Sequence, residues 1–311
     1  METQYTTPNT PFTLAAPSMV YGENLEDNIE RLSQRLSHVE IVLFHTPELH
    51  NLPDKETVAM LSRLKAEKGL TYSVHLPTSL EIASDDAAKC DRSLRLAAEC
   101  VAKTAVLAPI HYVLHVPYTP PTLTAVPGLY FKAGEGRDWP QWTERGLKSL
   151  ERLERELGWR RTLLVENINF SPVYLEPFVA GDFCRLCLDI GHLLLGGEAV
   201  RPTIAYFGGR IREIHLHGVS GETDHLGLDV LPRPRVQRWL DALAAAGFEG
   251  VMNIEVFSPR DLAASLAVVA GGGPAAAAVH GFAGQEAAPR ASAPGCRNSL
   301  CHPPSSLSRR T

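Results

Sequence analysis

The chain has 311 residues, 44% of them hydrophobic, enough to bury a full core as two domains or as one large barrel. Its 30 basic and 35 acidic residues leave a net charge of −5, and no Lys/Arg block offers a phosphate-neutralising stripe, which excludes nucleic acid as the expected partner. The opening METQYTTPNTPF has neither a basic n-region nor an apolar core, no apolar run is long enough to span a membrane, and six cysteines are too sparse for a disulfide framework; a soluble, cytoplasmic protein with reduced thiols and no membrane partner is expected.

After an N-terminal extension over residues 1–11, the run FTLAAPSMV (12–20) predicts a first strand. Leu25, Ile29, Leu32 and Leu36 then mark one face of a helix. VEIVLF (39–44) is the second strand; Glu40 within it and His45 just beyond could line a site, although pairing with a helix or with solvent accounts for them at least as well. Asp54 is placed to cap a second helix with Val58, Leu61 and Leu64 on its apolar face, and Gly69 to stop it. LTYSVHLP (70–77), a helix within 85–105 and HYVLHVP (111–117) follow. The loop 116–139 is longer than most compact connections, and its Tyr118, Tyr130, Phe131 and Trp139 are candidates to cover a large flat ligand.

A helix over 139–157 leads to the strands TLLVENI (162–168), RLCLDIG (185–191) and REIHLHG (212–218), a helix over 234–246, and a last strand VMNIEVF (251–257). Ser258 at an N-cap, Pro259 in the first turn and Asp261 at the positive dipole end open a final helix. Residues 270–311 are rich in Ala, Gly, Pro and Ser without apolar period and read as a disordered tail, whose His280, Cys296, Cys301 and His302 are discounted as ligands. Eight strand runs alternating with helices predict an α/β fold, a single (β/α)8 TIM barrel over 12–269. Cys184 and Cys187 form a C-x-x-C, but on a strand, where residues three apart point to opposite faces, they read as buried structural thiols.

In CLDIGHLLLGG (187–197), Asp189 and His192 interrupt an otherwise apolar run, and a carboxylate there needs a partner or a metal. Barrel enzymes place their chemistry at the C-terminal ends of the strands. There the sequence delivers His75, His115, Glu166, Asp189 with His192, His215 with His217, and Glu255, from six successive strands, with Asp224 and His225 in the loop after the seventh. Each alone has an ordinary explanation as a hydrogen-bonded rim or core residue; the set points to metal. Imidazole with carboxylate suits Zn2+, with Mn2+, Fe2+ or Co2+ as alternatives, and there are more donors than the about four that one ion takes, so two or three ions are expected. Such a centre suits in-line displacement at phosphorus, and phosphoester hydrolysis is the expected reaction class. GLYFKAGEG lacks the Lys-Ser/Thr of a P-loop, and GVSGE is not a G-x-S-x-G elbow.

The segments VHLP, LHVP, VEN, LDIGH, IHLHG and IEVF, in this order, resemble the xylose-isomerase-like barrel superfamily, which includes sugar-phosphate isomerases and zinc-dependent apurinic endonucleases. Carried over from the endonuclease pattern, the resemblance implies that His75, His115 and Glu166 hold one ion with Glu166 bridging, that Asp189, His215 and Glu255 hold a second, and that His192 serves a third. The endonucleases complete the third site with Asp-x-His, whereas this chain has Asp224 and His225 adjacent; the Arg-rich loops that grip bent DNA are also missing.

Within the superfamily, FTLAAPSMVYGENLEDNI, VEIVLFHTPELHNLPD, GLTYSVHLPTSLEI, LCLDIGHLLLGG, IHLHGV and IEVFSPRDLAASL resemble the cobamide-remodelling phosphodiesterases over roughly residues 12 to 268. This implies hydrolysis of the phosphoribosyl linkage in the nucleotide loop of a cobamide, a small-molecule corrinoid substrate, to cobinamide phosphate and an α-riboside. Glu166, Asp189 and Glu255 would be catalytic; His75, His115, Glu166, Asp189, His192, His215, Glu255 and His225 would hold metal; His217, Asp224, Tyr118 and Trp139 would contact substrate. The leading alternative is a sugar or sugar-phosphate isomerase or epimerase using Glu166, Asp189, His215 and Glu255 around one ion, followed by an apurinic endonuclease and a non-catalytic cobamide-binding module.

Overall fold

The computed structural model describes residues 11–22, 24–47, 49–118, 130, 138–158, 162–181 and 184–271. Nearly all of the expected N-terminal extension, Phe131 with most of its loop, and all but the first two residues of the 270–311 tail, with its His and Cys residues, lie outside them. The strands are β1 (Thr13–Pro17), β2 (His38–Val42), β3 (Thr71–His75), β4 (Tyr112–His115), β5 (Leu163–Glu166), β6 (Cys184–Asp189), β7 (Ile211–Leu216), β8 (Gly218–Ser220), β9 (Thr223–Leu226) and β10 (Val251–Ile254). Eight of them pair in parallel as a closed barrel in the order β1-β10-β7-β6-β5-β4-β3-β2, and β8 with β9 form a separate antiparallel hairpin. Each of the eight predicted runs supplies one barrel strand.

The helices are α1 (Leu25–Leu32), α2 (Lys55–Lys68), α3 (Ala87–Thr104), α4 (Trp139–Leu157), α5 (Glu176–Val179), α6 (Ile190–Leu195), α7 (Val200–Phe207), α8 (Arg233–Ala245) and α9 (Pro259–Val269). The Asp54 carboxylate accepts the Thr57 N–H to open α2, and Gly69 closes it at φ 67°, a left-handed position that costs glycine no Cβ clash. The Ser258 hydroxyl accepts the Asp261 N–H at the start of α9. The first helix ends at Leu32, earlier than its apolar pattern suggests, although Leu36 is still buried. None of the described helices is long and apolar enough to cross a membrane.

The main apolar core lies between barrel and helices, with Ile29, Leu61, Trp142, Leu150, Phe178 and Leu243 buried there. A second, small apolar cluster of Val113, Leu164 and Cys187 lies inside the barrel. Cys184 faces the outer core and Cys187 the inner one, the division that period-2 alternation on β6 dictates. Both are free thiols, and burial pushes both up in pKa. Many of the buried residues on the barrel strands are polar: His38, Glu40, Ser73, His75, Glu166, Asp189, Glu213, His215 and Asn253.

Candidate metal centre

Strand register builds the site. Pairing of β4 with β5 sets His115 beside Glu166, and pairing of β6 with β7 sets Asp189 beside His215, all near the C-terminal ends of their strands. His75 ends β3, Glu255 follows β10, His192 lies on α6, His217 follows β7 and His225 sits on β9. Their donor atoms fall into three adjoining groups: His75, His115 and Glu166; Glu166, Asp189, His215 and Glu255; and His192, His217 and His225. Within each group the atoms lie within 4.8 Å of one another.

Glu166 belongs to two of these groups. Its Oε2 lies 3.1 Å from His75 Nε2 and 3.2 Å from His115 Nε2, while Oε1 lies 3.5 Å from His215 Nδ1 and 3.6 Å from His192 Nδ1. Asp189 joins the second group to the third. Its side chain caps α6 by accepting the His192 N–H at 2.7 Å, and its oxygens approach His192 Nδ1 (3.2 Å) and His217 Nε2 (3.3 Å). The carboxylate that looked stranded in an apolar run is thus surrounded by imidazoles.

Backbone carbonyls, which only accept, fix several ring tautomers. His75 Nδ1 donates to the Leu76 carbonyl (2.7 Å), His192 Nδ1 to Asn167 (2.9 Å) and His225 Nδ1 to Glu255 (3.1 Å). In its neutral form each therefore carries a lone pair on Nε2, and for His75 that lone pair points at a Glu166 carboxylate oxygen. Two acceptors at 3.1 Å repel unless a proton or a cation sits between them. His215 Nδ1 and Glu255 Oε2 are buried, 3.2 Å apart, and not aligned for a hydrogen bond with each other or any other group. Orphaned donor atoms of N and O type converging on one point are what a divalent cation requires.

The electrostatics fit the same occupant. Burial opposes charge on His75 and His217, yet Glu166 and Glu40 in the first case, and Asp189 and Glu255 in the second, lift each imidazole to about 9. Burial holds His115 and His225 low. Burial would raise Glu166 and Glu255, but His215 with His115, and His215 with His225, outweigh it and hold both carboxyls well below their usual range. The carboxylates are ionised at neutral pH, and protons compete with a cation for the imidazoles.

Two local devices support the third group. His225 sits at φ 52°, a left-handed conformation that few non-glycine residues adopt, and this aims its N–H at His217 Nδ1 (2.9 Å). A Cβ on Gly191 would lie 1.9 Å from the His217 ring, so the Gly of LDIGH is the space that ring occupies. The hairpin β8–β9 brings His225 to a position that the Asp-x-His spacing would not have suggested.

The remaining expectations divide. Asp224 is half-buried on β9, and its charge favours the protonated form of His217. His217, expected to contact substrate, is fully buried against Asp189 and belongs with the ligand-type residues. Tyr118 and Trp139, expected to cover a ligand, are 1% and 7% exposed: their rings stack at 3.6 Å, and Trp139 stacks on Tyr174 at 3.5 Å, in the outer core. His45 is exposed, with Nδ1 2.8 Å from His50 Nδ1.

Glu40 is neither solvated nor paired with a helix. It lies inside the barrel, 3.2 Å from His215 Nε2, and belongs to a buried layer under the site that the sequence reading passed over. In that layer Ser73 donates to Glu213 (3.0 Å), His111 approaches Glu213 (3.2 Å), and His38 bridges Thr71 (2.8 Å) and Ser73 (3.1 Å). The signal was present: Glu40, Ser73 and Asn253 alternate with apolar residues, and Ser73, Glu213 and Asn253 stand two positions before His75, His215 and Glu255, facing the same interior.

No curated protein matches this chain. Among solved structures, a D-tagatose 3-epimerase-like protein superposes with a TM-score of 0.62 at 20% identity, over 83% of this chain and 96% of that one. L-ribulose 3-epimerase gives 0.58 at 18% identity, over 80% and 82% of the respective chains. Endonuclease IV from Thermus thermophilus gives 0.59 at 20% identity, over 83% and 98%. At such identities these likenesses establish the fold alone. Residues 36–279 match the family profile described as xylose isomerase-like TIM barrel, and the chain belongs to that family.

Proposed function

We propose that this chain is a divalent-metal-dependent phosphodiesterase that cleaves the phosphoribosyl linkage of a cobamide nucleotide loop. The observation that carries the phosphodiesterase reading is the sharing of Glu166 between two ligand groups, with a third, all-imidazole group adjoining Asp189. An isomerase or epimerase working around one ion needs only Glu166, Asp189, His215 and Glu255, and leaves His75, His115 and His192 without tasks. The choice of a cobamide rests on the resemblance of the segments from FTLAAPSMV to IEVFSPRDLAASL to the cobamide-remodelling enzymes.

Bound Zn2+, or Mn2+, Fe2+ or Co2+ in its place, supplies Lewis acidity and acidifies a water toward neutrality. The side chains do the rest. Glu166 would serve two ligand groups, the one with His75 and His115 and the one with Asp189, His215 and Glu255. Glu255, whose Oε2 makes no hydrogen bond, and Asp189 would orient the attacking water toward phosphorus. The bond from phosphorus to the ribose oxygen breaks as the water oxygen attaches, and the proton lost by water is matched by one delivered to the ribose oxygen. His192 and His225, with Nδ1 engaged by carbonyls, present Nε2 toward the third position, where they help to stabilise that departing oxygen.

The sugar epimerase reading is the second one that an observation favours, because D-tagatose 3-epimerase-like protein and L-ribulose 3-epimerase share the fold. Metal stoichiometry separates the two. Elemental analysis of the purified, metal-replete protein is expected to give two or three ions per chain; one ion, with epimerisation of a free ketose, would favour the epimerase.

A further inference from the structure

The two ring nitrogens of His215 face opposite ways. Nδ1 points up at Glu166 and Glu255, unpartnered and buried, while Nε2 lies 3.2 Å from Glu40 Oε1, beneath the site. Glu40 is itself held, because Asn253 Nδ2 donates to its other oxygen, Oε2. All three residues are completely buried. Burial pushes the Glu40 carboxyl up and the adjoining His215 opposes it; with Oε2 already accepting from Asn253, Glu40 as a carboxylate accepts at Oε1 too, which places the His215 proton on Nε2 and the lone pair on Nδ1.

We propose that Glu40, locked by Asn253, is a positioning residue that sets the tautomer and orientation of His215 so that Nδ1 is offered to the cation held with Glu166, Asp189 and Glu255. This rests on the metal reading of the site. The chain brings the three together from distant positions: β1 stands between β2 and β10, and Ala15, the residue of β1 paired with both His38 and Asn253, is small enough for Glu40 and Asn253 to meet across the interior. A carboxylate behind a metal-bound imidazole also increases its basicity and its hold on the ion.

The test compares wild type, Glu40→Gln, and Glu40→Gln combined with Asn253→Asp, using chelator-competition titration of Zn2+ and the visible spectrum of the Co2+-loaded protein. In Glu40→Gln the Asn253 amide, whose Oδ1 has no hydrogen-bond partner, can turn over to accept from the new NH2, so what the variant removes is the negative charge behind the His215 ring that keeps its proton on Nε2. Asn253→Asp returns a carboxylate to that layer. The expected result is about a 10–100-fold loss of affinity at one ion position in Glu40→Gln. The other positions keep their affinity, the Co2+ spectrum changes, and both effects recover in the double variant.

Unchanged affinity at every position in Glu40→Gln overturns the proposal, as does a loss that the double variant does not recover. If Glu40→Gln does not fold, Asn253→Ala, which frees Glu40 to turn from His215, must weaken the same single position, and undiminished affinity there overturns the proposal. Wild-type protein that binds no divalent cation defeats the metal reading itself, a separate failure.

Discussion

Glu166 is the residue on which two ligand groups depend, and its replacement should be felt at both. Glu166→Gln removes a charge but little volume, so the fold is expected to persist while Zn2+ affinity falls by about 100-fold or more, beyond what loss of an outer hydrogen-bond partner costs. Chelator competition measures the affinity, and a melting curve checks the fold. Gly191 carries a steric prediction instead. Gly191→Ala would force the His217 ring aside and should cost about 1–3 kcal/mol in denaturant unfolding; a variant as stable as wild type would show that the ring has another place to go. His38 carries a pH prediction. Burial, opposed by the Glu213 charge, lowers its pKa to about 4. Between about 4 and the ordinary 6.5 the unfolded chain binds the proton and the folded chain does not, so stability drops as pH falls through that window. The His38 contribution is on the order of 3 kcal/mol, and the difference between wild type and His38→Asn in unfolding free energy at pH 7 and pH 4 measures it.

At the scale of elements, the aromatic stack carries a stability prediction. Trp139 opens α4 with its ring between Tyr118 and Tyr174 and its edge toward Phe170. Trp139→Ala is expected to cost about 3–5 kcal/mol of stability through the cavity it leaves, read as a lowered melting temperature. A loss of substrate affinity at unchanged stability would return Trp139 to the ligand-covering role. The barrel strands and the long helices were legible because their signals are local: apolar runs with turn residues between them, Asp54 and Gly69 at the ends of α2, Ser258 before α9. The helices α6 and α7 were not, since they have six and eight residues and lie among Gly196, Gly197, Pro202 and Gly208, where no apolar period can establish itself. The three- and four-residue strands of the β8–β9 hairpin were equally short of signal.

Across the whole molecule, closing eight strands into a barrel converts one-dimensional spacing into a site. His75, His115, Glu166, Asp189, His215 and Glu255 were readable as a set because each stands at or near the end of a strand, and a parallel barrel brings all such ends to one rim. The layer beneath them was not read, because buried glutamates and histidines within a strand look like solvent-facing residues until the interior face is known. Beside the apolar Val113 and Leu164, the interior of this barrel holds Glu40, Glu213, His38 and Asn253, a buried polar layer beneath the ligand groups that costs hydrophobic burial. Because protons compete for the imidazoles, metal binding by the whole molecule should weaken as pH falls, and titrating the bound metal between pH 8 and pH 5 in a chelating buffer is expected to show release at the acid end.

The central claim is tested most directly by mass spectrometry of a cobamide, such as cobalamin or pseudocobalamin, incubated with the purified, metal-replete protein under reducing conditions. The account predicts cobinamide phosphate and the α-riboside of the lower ligand, with neither formed by Glu166→Gln. Intact cobamide after incubation with protein that holds two or more ions would contradict the substrate assignment.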